Sequence, residues 1–514
     1  MTPTTQQTAF LAALASTSGH LALVARAGCG KTSTIMMGVA QEVSRNPRIE
    51  ILVCAFNKAI EVEISEKLKA AGHDWKQAQA KTAHSLGFGL LRFAFNPTIE
   101  DKKVRNLIAA QNDDEAGVYA AYSNQIESLV GYAKQAGFGF FPELAIGNVS
   151  AWYDLADHYD VNGLDDTSEA DAVVTAAQHI YRASLAQTDI VDFNDMILFP
   201  LVKNIRVKFG KDLIFVDEAQ DLSRARQALI RKFLKPNTGR MVVVGDDRQA
   251  IYGFTGADAA ALPNLIASLG AQSLPLSVTW RCPQAVVALA QGLVPDIEAA
   301  PNAPEGAVSS THGREATEEL IASLGPTDAV LCRNMAPLIE VAFKLIRAGK
   351  PVKVEGRNIG DGLVAIAKRW KVKTIDTFLT RLEAYRDREV QKAMAKGNES
   401  KQAEVEDRCD TMEVIARACL EAGKTQVSDI VDWINDLFSD GATNATVCAT
   451  YHRSKGREWP RVVLWEHDTR CPSRAAKQDW QREQENNLAY VAFTRAQSEL
   501  VFVSEPSRKM RSAA

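Results

Sequence analysis

The sequence predicts an α/β protein in which short buried strands of a parallel sheet alternate with helices, and in which two long helical segments interrupt the alternation. Two observations carry that reading. The first is a series of short apolar or β-branched runs bounded by polar residues: LALVA (21–25), IEILVCAF (49–56), DLIFVDE (212–218), RMVVVGD (240–246), DAVLCR (328–333), RVVLWE (461–466) and ELVFVS (499–504). Runs this short, apolar throughout and separated by helix-like stretches, suit parallel strands covered on both faces. The second is where the series breaks. Residues from about 96 to 186 hold no comparable run and read as helices, as in NQIESLVGYAKQAG and EADAVVTAAQHIYRASLA. Residues from about 360 to 442 read as helical and highly charged, and AKGNESKQAEVEDR within them is expected to be a solvated helix face or a mobile connection. The chain shows no fixed-period repeat.

Length and composition bound the class. A chain of 514 residues corresponds to about three to five domains or subdomains. Hydrophobic residues at 46% and charged residues at 24% are those of an ordinary globular protein. No run approaches the ~18 unbroken apolar residues of a membrane span. The start, MTPTTQQTAF, has no basic segment followed by an apolar one, so a cytoplasmic protein without a secretory signal is expected. The eight cysteines form no C-x-x-C pair and no zinc spacing, and are expected to be reduced, buried thiols. A net charge of −4 gives no global attraction for nucleic acid. Any such binding must rest on local patches and stacking surfaces.

The first chemistry lies in VARAGCGKTST, Val24 to Thr34. A strand leads into Ala25-Arg26-Ala27-Gly28-Cys29-Gly30-Lys31-Thr32 and then into a helix. Small residues let backbone N–H groups close around phosphate oxygens, and the helix N-terminus adds partial positive charge. Lys31 supplies a full charge to the terminal phosphates, and the Thr32 hydroxyl can ligate Mg²⁺. The pattern G-x-x-x-x-G-K-[ST] is met except that Ala25 stands for its first glycine. The competing reading is a glycine turn before a helix with an incidental lysine. A phosphate cradle also needs acids at the end of another strand, and Asp217-Glu218-Ala219-Gln220-Asp221 follows LIFV. Asp217 is placed to hold Mg²⁺ through water, and Glu218 to orient and deprotonate the attacking water. Read alone, the two carboxylates could be solvated loop charges. Lys31 and Asp217 lie 186 residues apart, which leaves room for the first helical segment.

From these and further motifs, in order from end to end, the chain resembles the UvrD/Rep/PcrA family of superfamily 1 helicases. AFNKA (55–59) resembles its motif Ia and TAHS (82–85) its motif Ib. DFNDMI (192–197) precedes DEAQD. GDDRQAIYGFTGAD (245–258) resembles motif III, LSVTWRCP (276–283) motif IV, TYHRSKGREWP (450–460) motif V and ENNLAYVAFTRA (485–496) motif VI. The resemblance implies two RecA-like parallel-sheet cores of the P-loop NTPase type, each with a helical insertion, and ATP with Mg²⁺ bound between the cores. The first core would comprise residues 1–95 and 187–275, with its insertion at 96–186. The second would comprise 276–358 and 444–514, with a small insertion at 359–443. It further implies Gln6 as adenine reader and Lys31, Thr32, Asp217, Glu218 and Gln249 as the first core's share of the ATP site. Arg281 and Arg495 would reach the γ-phosphate from the second core. Trp280 would stack on adenine, or else be a core aromatic, and Glu458 would lie near the ribose. Hydrolysis of this kind needs positioning and charge neutralisation more than covalent help.

The resemblance also implies a track of single-stranded DNA. Tyr252 and Phe254 fall where relatives stack bases, an interaction worth ~1–3 kcal/mol per base and tolerant of sequence. Asn57, Lys58, Thr82, His84, His452 and Arg453 are backbone or base contacts, or equally surface and packing residues. Some positions depart from the family pattern. Ala55 stands where an aromatic is common and Phe56 precedes Asn57, so a base contact there is expected shifted or absent. Phe254 replaces the more usual Trp, and Asn486-Asn487 follow Glu485 where basic residues are common. The second insertion, near 80 residues, is shorter than in the larger relatives, and no nuclease domain is expected behind motif VI. The implied activity is an ATP-dependent helicase and translocase moving 3′→5′ on single-stranded and tailed duplex DNA. Its protein partners would come from repair, replication, recombination or phage biology. The alternatives are a translocase that strips proteins with little unwinding, and an ATP-gated DNA-binding regulator with vestigial turnover.

Overall fold

Along the run LALVA, neighbouring side chains enter opposite layers. Leu21 and Leu23 join one apolar cluster and Ala22 another, as the two-residue period of a strand demands. The computed structural model describes residues 3–111, 117–159, 161, 167–253, 256, 260–395, 399–438 and 444–504. It divides into two compact units, Met1–Ser277 and Val278–Ala514.

In the first unit six strands form one sheet: β1 (Leu21–Ala25), β2 (Ile51–Ala55), β3 (Ala78–Thr82), β4 (Leu213–Val216), β5 (Arg240–Gly245) and β6 (Gln272–Leu276). Their order is β3-β2-β4-β5-β1-β6 and every pairing is parallel. Helices α1 (Thr5–Ser16), α2 (Lys31–Arg45) and α3 (Lys58–Ala70) cover one face. The insertion supplies α5 (Lys103–Ala109), α6 (Ser123–Ala136), α7 (Val149–His158) and α8 (Thr167–Ala186), which follow α4 (Ala83–Ala94). The other face of the sheet carries α4 with α9 (Phe193–Val202), α10 (Arg224–Lys232) and α11 (Ala261–Leu269). Helices α4 and α9 touch at Gly87, where an added Cβ would lie 1.8 Å from the Met196 carbonyl oxygen.

In the first unit the four inner strands coincide with the expected apolar runs, and the two outer ones do not. AQAKT of β3 and QSLPL of β6 lie at the sheet edges, half-exposed, so neither shows a continuous apolar run. The first insertion also contains one short strand that the reading excludes: Thr98–Ile99 pairs in parallel with Ile190–Val191 and closes the base of the insertion.

The insertion has its own core around Ile126, Leu129, Trp152, Val173 and Tyr181. A buried ion cluster ties it to α9. Lys134 Nζ lies 2.5 Å from Asp192 and 2.7 Å from Asp195, and Lys103 Nζ lies 2.7 Å from Asp195. Lys103 also donates to the carbonyls of Ser184 and Gln187 at 2.9 Å. Asp192 and Asp195 form the capping box of α9, so the first turn of that helix is fixed from both sides.

The second unit repeats the plan with β7 (Ala307–His312), β8 (Asp328–Cys332), β9 (Val352–Val354), β10 (Thr446–Thr450), β11 (Trp459–Trp465) and β12 (Ala496–Ser504). The order is β7-β12-β11-β8-β10-β9, again all parallel. Its helical segment, Arg357–Arg369, Ile375–Ala395, Glu399–Glu421 and Val427–Leu437, shares one core with the sheet: Met412, Ile415 and Ile434 pack with Val330, Leu338 and Val463. The stretch expected to be solvated or a connection is corrected in part. Its residues from Glu399 onward are helical and bury Val405, because that helix packs on its neighbours, while residues 396–398 lie outside the described residues. All eight cysteines are free and buried. Among the described residues no helix is long and apolar enough to cross a membrane.

Replacing Lys134 by methionine leaves Asp192 and Asp195 buried with one cation between them. We expect a loss of about 3–5 kcal/mol, read by denaturant unfolding.

Candidate nucleotide and nucleic-acid site

Strands β4, β5 and β1 are consecutive in the sheet and parallel, so the loops that follow them leave from one edge. After β1, Ala25 to Gly30 form a turn with Gly28 at φ 71° and Gly30 at φ 79°, which glycine adopts without steric cost. Ala27 and Cys29 are buried within this turn. Helix α2 then begins at Lys31 with no side chain capping its first N–H groups. Those groups and the half-buried Thr32 are arranged as a phosphate site requires.

Lys31 Nζ lies 2.8 Å from Glu218 Oε1. Burial works to lower the Lys31 pKa, but the carboxylates of Glu218, Asp217 and Asp246 outweigh it and hold the ammonium above its usual value. Asp217, buried at the end of β4, is pushed up to about 7 by burial and the like charge of Glu218, against the pull of Lys31. Its Oδ1 accepts the N–H of Glu218 at 3.0 Å. Glu218 itself sits in the left-handed region at φ 50°. For a non-glycine residue that costs ~1–3 kcal/mol, a strain characteristic of functional positions.

The residues after β5 complete the floor. Gln249 Nε2 donates to Asp246 Oδ2 at 2.7 Å, and Arg26 donates to Asp246 at 2.9 Å and Asp247 at 2.6 Å. The Arg26 side chain therefore serves the acids after β5, while its backbone lies in the turn. Gln220 donates to Glu218 and accepts the Asp246 N–H at 3.1 Å. Asp246 and Gln220 escape the sequence reading, although both sit inside quoted motifs immediately beyond strand ends. Gln7 escapes it too: its amide donates to Thr34 Oγ1 at 2.9 Å and pins α1 to α2. The T-x-x-Q capping box at Thr4 and Gln7 is its sequence signal. Gln6 forms two hydrogen bonds with Ser277, at 2.8 Å through its amide nitrogen and 2.9 Å through its oxygen.

The residues expected to meet nucleic acid have local duties as well. Asn57 caps α3, its Oδ1 accepting from Ile60 N at 3.0 Å, and exposed Lys58 pairs with Glu61. Thr82 caps α4 by accepting from Ser85 N. Tyr252 stacks on Phe56, with centroids 5.9 Å apart and rings within 13° of parallel. The aromatic displaced from motif Ia is thereby joined to motif III. Phe254 lies outside the described residues. His84 meets Phe193 edge-on at 6.2 Å. Phe193 is 49% exposed on the first turn of α9, and the sequence reading overlooks it although it stands inside DFNDMI.

In the second unit, Arg281, Glu458, Thr494 and Arg495 converge from three distant motifs. Arg281 pairs with Glu458 and donates to the Thr494 carbonyl at 3.4 Å, and Gln497 donates to Glu458 at 2.9 Å. Arg495 is fully buried, donating to the carbonyls of Val491 (2.7 Å) and Arg457 (3.0 Å) and to Thr494 Oγ1 (3.0 Å). Burial and the neighbouring Arg281 push it down to about 9. Trp280 is 55% exposed, so the reading of it as a core aromatic fails. Arg453 is exposed, while His452 is pushed down to about 3 by burial and by Arg333, Lys455 and Arg453.

With this geometry in hand, the chain can be set against known families. The profile of the UvrD/REP helicase N-terminal domain matches residues 5–268, more than half of the chain. The chain belongs to the UvrD/REP helicase family. The UvrD-like helicase C-terminal domain matches residues 435–506. The RecA-like P-loop fold of the family is what the two parallel sheets display. Among similar proteins are the ATP-dependent DNA helicase PcrA of Staphylococcus aureus (28% identity over 259 residues, 48% of this chain and 34% of that protein) and a probable DNA helicase II homolog of Mycoplasma capricolum (27% over 259 residues, 48% and 35%). A third is the ATP-dependent DNA helicase SRS2 of Saccharomyces cerevisiae (27% over 276 residues, 49% and 23%). The chain spans about a third or less of the curated relatives it matches.

Burial and the charge of Arg226 push the His84 pKa from 6.5 down to about 4. Below 6.5 the unfolded chain takes up a proton that folded His84 refuses. Its contribution to stability is therefore present above pH 6.5 and lost as pH falls toward 4. A His84→Gln variant is expected to lose less stability than the parent over that window, measured by denaturant unfolding at each pH.

Proposed function

We propose that the chain is an ATP-dependent DNA helicase and translocase that moves 3′→5′ on single-stranded DNA and opens tailed duplexes. The observation that carries the reading is the junction of Lys31, beyond β1, with Glu218 and Asp217, beyond β4, across the intervening parallel strand β5 and beside an open helix N-terminus. The names of its relatives, ATP-dependent DNA helicases, support the same substrate class.

The donor set suits Mg²⁺. Asp217 is a carboxylate raised by burial and by the like charge of Glu218, and Thr32 offers a hydroxyl, both hard oxygen donors. Among the described residues no three His, Cys, Asp or Glu side chains converge on a metal, so phosphate and water oxygens would complete the shell. The ion held by Thr32 and Asp217 would neutralise charge on the β- and γ-phosphates.

The protein's own groups do the rest. Lys31, held in readiness by Glu218, transfers its charge to the terminal phosphates as they enter the cradle. Glu218 is then released from its ion pair, with Gln220 still holding one oxygen, and takes the proton of the attacking water. Gln249, anchored on Asp246, senses the γ-phosphate, and Arg281 and Arg495 stabilise its developing charge. Trp280 stacks on adenine, with Gln6 and Glu458 setting base and ribose. The Phe56–Tyr252 stack and the exposed Phe193 offer faces to unpaired bases. Separating a base pair costs ~1.4 kcal/mol per step, comparable with what one stacked base returns.

Steady-state ATP hydrolysis with and without single-stranded DNA, followed by unwinding of 3′- and 5′-tailed duplexes, tests the whole reading. Strong stimulation with unwinding from the 3′ tail alone is expected. Stimulation without unwinding assigns the chain to protein-stripping translocases, and absence of stimulation assigns it to ATP-gated regulators. Lys31→Ala should abolish hydrolysis. Glu218→Gln should bind ATP and turn over ~10²–10⁴-fold more slowly, as loss of a general base predicts, with nucleotide binding read by fluorescence titration.

A further inference from the structure

A cleft of about 900 Å³ lies between the helical insertion of the first unit and the outer face of α10 and α11. That size suits a bound ligand of several rings. Arg224, Gln227, Ala228 and Arg231 recur at helical spacing along one wall, with Lys232 beside them. At ~1.5 Å per residue the two arginines stand ~10 Å apart along the helix. The facing wall is aromatic. Phe140 is 40% exposed, Phe141 holds the Arg224 guanidinium 4.1 Å from its ring centre, and Tyr159 is stacked on Tyr132 with centroids 4.0 Å apart. Glu143 pairs with Arg224 at the rim. Gly256 lines the cleft too, four residues beyond the Tyr252 that stacks on Phe56. The cleft therefore reaches as far as Gly256.

We propose that this cleft is a second site for single-stranded nucleic acid, continuing the strand beyond the Phe56–Tyr252 stack. Its bases would lie against Phe140 and Phe141, and its phosphates on Arg224, Arg231 and Lys232. This rests on reading the chain as a single-strand motor. Cations opposite aromatic faces are what a strand of any sequence needs, because phosphates and bases alternate along it. An acidic peptide would answer the cations but not the aromatic wall, nor the approach of the cleft to Gly256.

The test is fluorescence anisotropy of the full chain with oligothymidylates of about 8 and about 20 nucleotides over a range of salt. In an Arg231→Ala/Lys232→Ala variant, binding of the short strand should be unchanged. For the long strand, the slope of log affinity against log salt should fall by ~1.4, at ~0.7 per lost phosphate contact. Phe140→Ala should weaken the long strand alone, by about fivefold or more. Both arginine and lysine side chains lie on a helix surface where alanine is well tolerated, and the exchanged pair Arg231→Lys/Lys232→Arg should restore the slope. Short-strand binding with no change in long-strand slope or affinity overturns the cleft while leaving the motor reading intact. Loss of polyglutamate binding in the same variant, with DNA binding unaltered, assigns the cleft to acidic peptides instead. A parent chain that binds neither strand overturns both readings together.

Discussion

The positive charge of Lys31 sits where little water reaches it, and a charge in that position must be answered locally or surrendered. Three carboxylates answer it: Glu218 and Asp217 from the end of β4, and Asp246 from the end of β5. They can do so only because β4, β5 and β1 are neighbours in a wholly parallel sheet. An antiparallel partner anywhere in that trio would send one set of groups to the far edge. Burial pushes Asp217 and Asp246 up despite Lys31 and Arg26, and the like charge of Glu218 adds to it at Asp217.

The same acids reach toward the nucleic-acid side. Glu218 is held by Gln220, Gln220 accepts from the backbone of Asp246, and Asp246 holds Gln249. Three residues on, Tyr252 lies against Phe56. The contacts are contiguous from the proposed catalytic carboxylate to the proposed base platform. Contiguity becomes coupling only where the network has two arrangements. In the proposed cycle Glu218 would supply the second one, because a phosphate that takes Lys31 would free it from that ion pair. On the other flank the buried cluster of Lys103, Lys134, Asp192 and Asp195 makes α9 and the insertion one rigid piece, so Phe193 cannot drift relative to it.

How much of this was legible beforehand follows from what each residue is near in sequence. The inner strands of the first unit announce themselves because they are buried and apolar, as in LIFV of β4, whereas TVCAT of β10, an inner strand of the second unit, is hidden by its two threonines. The edge strands do not, since AQAKT in β3 alternates buried and half-buried residues and QSLPL in β6 is largely exposed. Lys31 and Asp217 are readable because a glycine turn and a strand end each constrain residue type within a few positions. Asp246 is not, although it is the hub between Arg26 and Gln249, because its role exists only through partners 220 residues before it and three after. The Lys134 cluster is hidden for the same reason: helical spacing explains a lysine on α6 as surface, and only the pairing with α9 shows it to be fully buried. Phe56 shows the reverse case. Its displacement by one position from the family pattern argues against a stacking role, yet the fold sets its ring against Tyr252.

The second unit separates two arginines that the motifs treat alike. Arg495 spends Nε and both terminal nitrogens on two carbonyls and a hydroxyl inside the unit, and it has almost no exposure. Freeing it would strand several buried donors and acceptors at once, each at ~1–3 kcal/mol. Arg281 is held chiefly by Glu458, whose side chain is 44% exposed, and ion pairs of that kind are worth ~0–1 kcal/mol. Parting from Glu458 therefore costs Arg281 little. The charge of Arg495, buried and pressed by Arg281, adds to that of its neighbour, and two guanidinium groups side by side attract an anion more strongly than either alone. Of the pair, Arg281 is held by one half-exposed carboxylate, and Arg495 is fixed inside the unit by three internal hydrogen bonds.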